Sequence, residues 1–209
     1  MKAKRRWFLA AAILLLVPLV FAAYSRADRD REETKFRWDV VQADRSTTPP
    51  TLRPGGTASV LANDGSKINL TGSGIFVVPE EPAGDVGRGG GQSNAVTGGG
   101  NWETFTKTGI STGHGTYDVI SLEGFELPPG TFGPNLLDGI GNPLDARPGL
   151  VVLRIRYSDG DRGFLIVSCH LLGTPDSNFE GVTATKASVD YWNVLRHGTL
   201  FHIIHEGED

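Results

Sequence analysis

Between Gly149 and Gly173 the chain reads GLVVLRIRYSDGDRGFLIVSCHLLG, and apolar residues recur at every second position on both sides of a turn. Alternation with a period of two is the mark of a half-buried strand. It puts Val151, Leu153 and Ile155 on one face, opposite Val152, Arg154 and Arg156. In the second run Leu165, Val167 and Cys169 share a face, opposite Phe164, Ile166, Ser168 and His170. A two-residue Asp159-Gly160 turn would set Leu153 against Ile166 and mix these faces. A three-residue Ser158-Asp159-Gly160 loop, with Gly160 left-handed as a bulge, sets Leu153 against Leu165 and Val151 against Val167. Only this register keeps the purely apolar set together, so it is the one predicted.

The same pattern recurs along the chain. FRWDVV (36–41) alternates Phe36, Trp38 and Val40 with Arg37 and Asp39 and predicts a first strand. TASVLA and SKINLTGSGIFVV predict two strands joined by the hairpin signal Asn63-Asp64-Gly65. NWETFTKT and GTYDVISLEGFEL follow as strands, and GVTATKASVDYWNV and TLFHII are read as the last ones, with Arg196-His197-Gly198 as their turn. PEEPAGDVGRGGGQSNAV, polar and rich in glycine, predicts a mobile connection. Residues 128–149 form the longest irregular stretch and contain five prolines. Loops of this length in a compact domain are functional or disordered. The Leu136-Leu137 pair suggests that part of this one packs down as a short helical turn.

A different pattern governs the N-terminus. Lys2, Lys4, Arg5 and Arg6 precede one apolar run from Trp7 to Tyr24, a single hydrophobic helix, and Ser25-Arg26-Ala27 follows with small residues at a peptidase-like spacing. This layout predicts a secretory signal over residues 1–27. An uncleaved anchor with its basic end in the cytoplasm is the alternative. Its run is shorter than the ~20 residues of a spanning helix and is interrupted by Pro18. Residues 28–35 read as a charged spacer, 36–205 as a single all-β domain and 206–209 as an acidic tail. Export to the periplasm or the medium is the expected localisation; the alternative is a single-pass anchor carrying the β domain outside.

Composition sharpens the class. The 209 residues include 28 glycines and 12 prolines, which fits many turns between short strands. The expected architecture is an antiparallel β-barrel, closed or partly open, of eight to ten short strands, with a β-sandwich as alternative. Formal charge is −4, and removal of residues 1–27 takes away five basic residues and no acid, leaving about −9. That balance opposes a nucleic-acid partner. A membrane partner is expected only through residues 7–24, if they are retained. The single cysteine, Cys169, cannot form an internal disulfide, so stability must come from the core.

Candidate chemistry is sparse. TGSGIF and TGGGNW lack the lysine and the helix start of a phosphate-binding loop, and the third glycine of a dinucleotide fingerprint is replaced by Val77 and Glu103. Gly72, Gly74, Gly98 and Gly100 are therefore read as room for a bend, or for Phe76 and Trp102 to fold across a neighbour. His202 and His205, with Glu206 and His197 nearby, would approach a metal on a helix. On a strand they diverge and lie ~10 Å apart, so no metal site is expected. Cys169 and His170 are adjacent on a strand and point to opposite faces, which excludes that thiol–imidazole pair. Ser168 has no nucleophile elbow around it. Asp118, Glu123 and Glu126 read as solvated edge acids. The remaining candidate is the mixed surface of Arg154, Phe164, Ser168 and His170, a possible ligand-binding face.

The run TGSGIF…VTGGGNWETF…GTYDVISLEGFE…LRIRYSDGDRGFLIVSCHL…VDYW…LFH, over roughly residues 57–204, resembles a set of exported bacterial β proteins to which no activity is attached. More distantly, the paired Gly-x-Gly-aromatic strands are similar to small barrels of the allene oxide cyclase and dirigent type. The second likeness implies a barrel and carries over no catalytic residue. The expectation is a non-enzymatic exported module that binds a small apolar ligand or an envelope protein, or is structural, with no cofactor. The alternative is a cofactor-free barrel enzyme, cyclase- or isomerase-like, acting on a small hydrophobic substrate.

Overall fold

The hairpin predicted from alternation is present in the register that alternation requires. Strands β10 (Gly149–Tyr157) and β11 (Arg162–Cys169) pair with Val151 opposite Val167 and Leu153 opposite Leu165. Gly160 closes the loop at φ +97°, donating its N–H to the Tyr157 carbonyl. The computed structural model describes residues 33–79, 96–196, 198–205 and 207. The segments read as signal or anchor, as mobile connection and as acidic tail, together with His197, lie outside the described residues, Pro79 and Val96 at the ends of the connection and Gly207 of the tail excepted.

Among the described residues, twelve further strands complete the domain. They are β1 (Glu33–Asp44), β2 (Thr51–Pro54), β3 (Ala58–Ala62), β4 (Lys67–Leu70), β5 (Ser73–Pro79), β6 (Val96–Phe105) and β7 (Ser111–Glu126). After β7 come the two-residue strands β8 (Leu137–Asp138) and β9 (Ala146–Arg147), then β12 (Gly181–Lys186), β13 (Val189–Arg196) and β14 (Thr199–Ile204). Eight of the fourteen close a ring in the order β3-β13-β12-β11-β10-β7-β6-β4, antiparallel throughout. The β4–β6 pairing, from Lys67 opposite Phe105 to Leu70 opposite Trp102, completes it. The protein is a closed barrel, and the sandwich alternative falls.

Two places on the ring carry the chain from one slot to another. β4 and β5 lie on one path along β6, interrupted at Thr71-Gly72, and β13 and β14 are interrupted around Gly198. At one end of the barrel β3 fills the slot between β4 and β13; at the other, β1 sits between β5 and β14. Gly72 (φ +156°) and Gly198 (φ +153°) turn their carbonyls onto the Val40 and Val41 N–H groups, both at 2.8 Å. β13 and β14 accordingly pair with different partners and not with each other, where a hairpin was expected; His197 of the predicted turn lies outside the described residues. The run GVTATKASVDYWNV is also divided, by a tight turn with Ala187 at φ +52°.

Alternation fills the barrel. Trp38, Phe76, Tyr117, Leu153, Ile155, Tyr157, Leu165 and Phe201 are all fully buried. Phe36, Phe76, Phe125 and Phe201 cluster at one end with ring centroids 4.8–6.2 Å apart. Trp102 and Tyr117 each pack against Tyr157. The polar tips of the second group are satisfied by backbone: Tyr117 donates to Thr71, Tyr157 to Thr185 and Trp102 to Thr116.

The glycine-rich strands do make room, for a different aromatic from the one expected. A Cβ on Gly72, Gly74 or Gly98 would stand 2.6–3.3 Å from the Trp38 indole, and one on Gly72 would also meet the Tyr117 hydroxyl at 2.2 Å. Gly100 instead lets β6 approach the Thr71 carbonyl, which a Cβ would meet at 2.0 Å. Trp102 lies over Gly113 and Gly115. Alternation alone shows which faces are buried and is silent about which strand lies across which, so the indole's position was hidden.

Candidate functional site

The stretch 128–149 contains no helical turn. Leu136 and Leu137 are exposed, and Leu137–Asp138 forms a two-residue parallel pairing with β2. From there residues 138–147 cross the outer face of β1 and β14 as a strap, ending in β9, which pairs with β14 through Ala146 opposite His202. Three contacts tie it down. Asp138 Oδ2 lies 2.7 Å from His202 Nε2, Asp145 Oδ1 lies 2.9 Å from His205 Nε2, and Ile203 donates its N–H to the Asp145 carbonyl.

Under the strap is a cluster of charged side chains on what alternation designates the polar face. Arg37 stands opposite His202 in the β1–β14 register, with Asp39 two residues along. Asp39 is 0% exposed and His202 4%. The backbone of Gly141 rests on the imidazole, where a Cβ would come within 2.8 Å of Cδ2. Asp138 Oδ1 accepts from the Ile140 and Gly141 N–H groups while Oδ2 faces His202. Burial pushes this carboxyl up, but the imidazole and the two amides outweigh it and hold it below the ordinary range. Asp39 goes the other way: burial raises it further than the Arg37 guanidinium lowers it.

Arg37 Nη2 donates to Asp39 Oδ1 at 2.8 Å. Its Nε stands 2.7 Å from Asp39 Oδ2 without making a hydrogen bond, so that contact is charge attraction alone. Asp39 Oδ2 and His202 Nδ1 are thus two buried polar atoms on neighbouring strands, each without a hydrogen-bond partner. Such groups are costly unless something completes them. Beside them opens a cavity of about 480 Å³, bordered by Ile75, Ile140, Ile203 and Ile204 and by Arg37, Asn142, Asp145 and His202. Isoleucines and polar or charged side chains share the lining about equally, and a cleft that sets a few convergent polar groups beside aliphatic ones is a form that small-molecule sites take.

The four residues singled out from the sequence lie elsewhere and do not converge. Arg154 and Phe164 are cross-strand partners on the exposed outer face, the guanidinium 5.3 Å from the ring centroid and paired with Glu123 at 2.9 Å. Ser168 is four residues further along β11, ~13 Å away. It is buried, and its hydroxyl donates to the Phe179 carbonyl. His170 donates its backbone N–H to Glu180 Oε2, and its Nδ1 faces the Asn178 carbonyl at 2.8 Å. Glu180 also accepts from the Thr199 N–H, so this carboxylate joins β11 to β14 where the two strands part.

Cys169 faces the packed interior, where burial, reinforced by Glu180, raises the thiol well above its ordinary range. β14 is extended, so His202 and His205 diverge as expected, each to its own aspartate. Among the described residues no group of three metal-ligating side chains comes together. Asp118 and Glu123 pair with Arg156 and Arg154 on the outer face. At the far mouth of the barrel Lys186 is held 2.5 Å from both Asp159 and Asp161, with its ammonium 4.4 and 4.9 Å from the Trp102 and Tyr157 ring centroids. These carboxylates outweigh the effect of burial and keep the amine protonated, which removes it as a nucleophile.

Sequence reasoning passed over Asp39, Asp138 and Asp145. Asp39 sits on a face that alternation assigns to solvent, and Asp138 is 64 residues from its partner. The available signals were weak: an aspartate before Gly139-Ile140-Gly141 that suits a local turn, and an irregular stretch too long to be a mere connection. Fold and cleft define the class: a closed eight-stranded antiparallel β-barrel with a ligand-sized cleft on its outside, under a strap. Compared with known proteins, the chain matches no protein family, no curated protein and no solved structure.

Proposed function

We propose that this is an exported binding module whose strap cleft takes a small, largely apolar ligand. The carrying observation is the contrast between the barrel interior, occupied by aromatic and aliphatic side chains, and the isoleucine-bordered cleft outside it. Export rests on the basic and then apolar layout of residues 1–27. The eight-stranded barrel supports the likeness to allene oxide cyclase and dirigent-type barrels as a likeness of architecture. The acidic balance disfavours nucleic acid.

Binding of anilinonaphthalene sulfonate tests the reading. The folded domain is expected to enhance the probe's fluorescence saturably, and Ile140→Arg and Ile204→Arg, which project charge into the cleft, to abolish that while leaving the circular dichroism of the barrel intact. Equal binding by both variants would refute the cleft as the site. A second reading, the cofactor-free enzyme, is favoured by one feature alone, the Asp138–His202 pair.

A further inference from the structure

We propose that the outer face of β4, β6 and β7 is a second binding site and that it takes a neutral oligosaccharide. This face is separate from the strap cleft, which lies across β1 and β14, and the inference does not depend on that cleft binding anything.

Alternation builds the face. Leu70, Trp102 and Tyr117 are buried in the barrel, so Asn69, Asn101, Glu103, His114 and Thr116 project outwards from the same strands. The register sets them in two rows. Asn69 stands opposite Glu103 and Glu103 opposite His114; Asn101 stands opposite Thr116, with the Thr71 hydroxyl on its own N–H. Together they border an open cavity of about 630 Å³, a size that small-molecule sites share.

Hydrogen-bonding roles are preset on this face. Ser59 Oγ donates to Asn69 Oδ1 at 2.7 Å, which turns the Asn69 Nδ2 donors to a ligand. Asn101 is held the other way: its Nδ2 leans on Thr71 Oγ1 at 3.4 Å, so its Oδ1 is presented as an acceptor. Glu103 and His114 face each other, yet among the described residues neither side chain has a hydrogen-bond or ion-pair partner. The neighbouring outer face behaves differently. Across β7 and β10 the charged groups satisfy one another, Glu123 with Arg154 and Asp118 with Arg156.

The lining selects the ligand. Among the described residues no lysine or arginine borders the cavity, so an anion finds no countercharge there. Its apolar members, Leu70 and Trp102, are buried beneath the polar rows and offer little to a hydrocarbon body. A sugar hydroxyl both donates and accepts, and adjacent hydroxyls match a face on which donors and acceptors stand side by side.

Maltotetraose, cellotetraose and mannotetraose are the probes, followed by proton–nitrogen NMR of the Asn69 and Asn101 side-chain amides. At least one of them is expected to shift both signals saturably at millimolar concentration, a readout that depends on no variant folding. Asn69→Asp keeps an acceptor for Ser59 and replaces the presented donor with a second acceptor. Glu103→Ala removes the carboxylate opposite. Each variant, read at Asn101 and checked for barrel circular dichroism, is expected to bind that sugar at least about tenfold more weakly. Ile140→Arg, in the strap cleft, is expected to leave the affinity unchanged. The proposal is overturned if no probe shifts either amide, or if both variants bind as the wild type does. Loss of sugar binding in Ile140→Arg also overturns it, by placing the sugar under the strap.

Discussion

Gly74 lies against the indole of Trp38 so closely that a single added carbon would stand 2.6 Å from Nε1 and 2.3 Å from the Thr97 carbonyl. The paired glycines on β5 and β6 exist because a tryptophan from β1 crosses them. Neither contact is with the free end of a flexible chain, so neither neighbour gives way cheaply. Gly74→Ala is therefore expected to lose about 3 kcal/mol, at the upper end of overpacking. Urea denaturation reads it directly; a loss under 1 kcal/mol would show that the indole has another place to go.

Lys186 makes a second prediction. Its ammonium joins Asp159 to Asp161 over two aromatic rings, and its side chain is only 10% exposed, whereas both aspartates reach solvent. Lys186→Met keeps the stem and removes the charge. Solvent softens the penalty on the two carboxylates, so the expected loss is about 2 kcal/mol, less than for a wholly buried pair. Unchanged stability in a urea titration would mean that the cage contributes nothing net.

The sole cysteine offers a clean kinetic test. Cys169 is sealed among Leu165, Val167 and their neighbours, and burial suppresses its thiolate. Reaction with dithionitrobenzoate must wait for the barrel to open. It is expected to run at least about a thousandfold slower in native protein than in urea. Fast labelling of the native state would place the thiol at a surface and return it to the list of possible nucleophiles.

The strap should loosen in acid. Asp138 is held below the ordinary carboxylate range, so its contribution to closure is fully present above about pH 4 and is lost as pH falls through the lowered folded value. Asp145, lowered chiefly by its bond from His205, acts in the same direction. Asp39 opposes them: its raised value means that the folded state holds a proton more tightly, so stability from this group falls as pH rises from about 4 towards that value. Amide exchange separates the terms. Protection of Ile140 and Gly141 is expected to disappear below about pH 4 while Val167, inside the ring, stays protected. Simultaneous loss at all three would mean that the strap is no independent latch.

The chain's own order of apolar and polar residues settled much of this protein. It specified an all-β domain, the core-facing sides of β1, β10 and β11, the β10–β11 register with Gly160 in its bulge, and an inert Cys169. These properties are local: a period of two and a turn length act within a dozen residues. Closure of the ring, the slot shared by β1 and β3, and the meeting of Arg37, Asp39, Asp138 and His202 came only with tertiary structure. Alternation names the two sides of a strand and says nothing about what covers the outer one. A strap brought from a hundred residues away turned a solvent-facing aspartate into one of the most buried charges in the molecule.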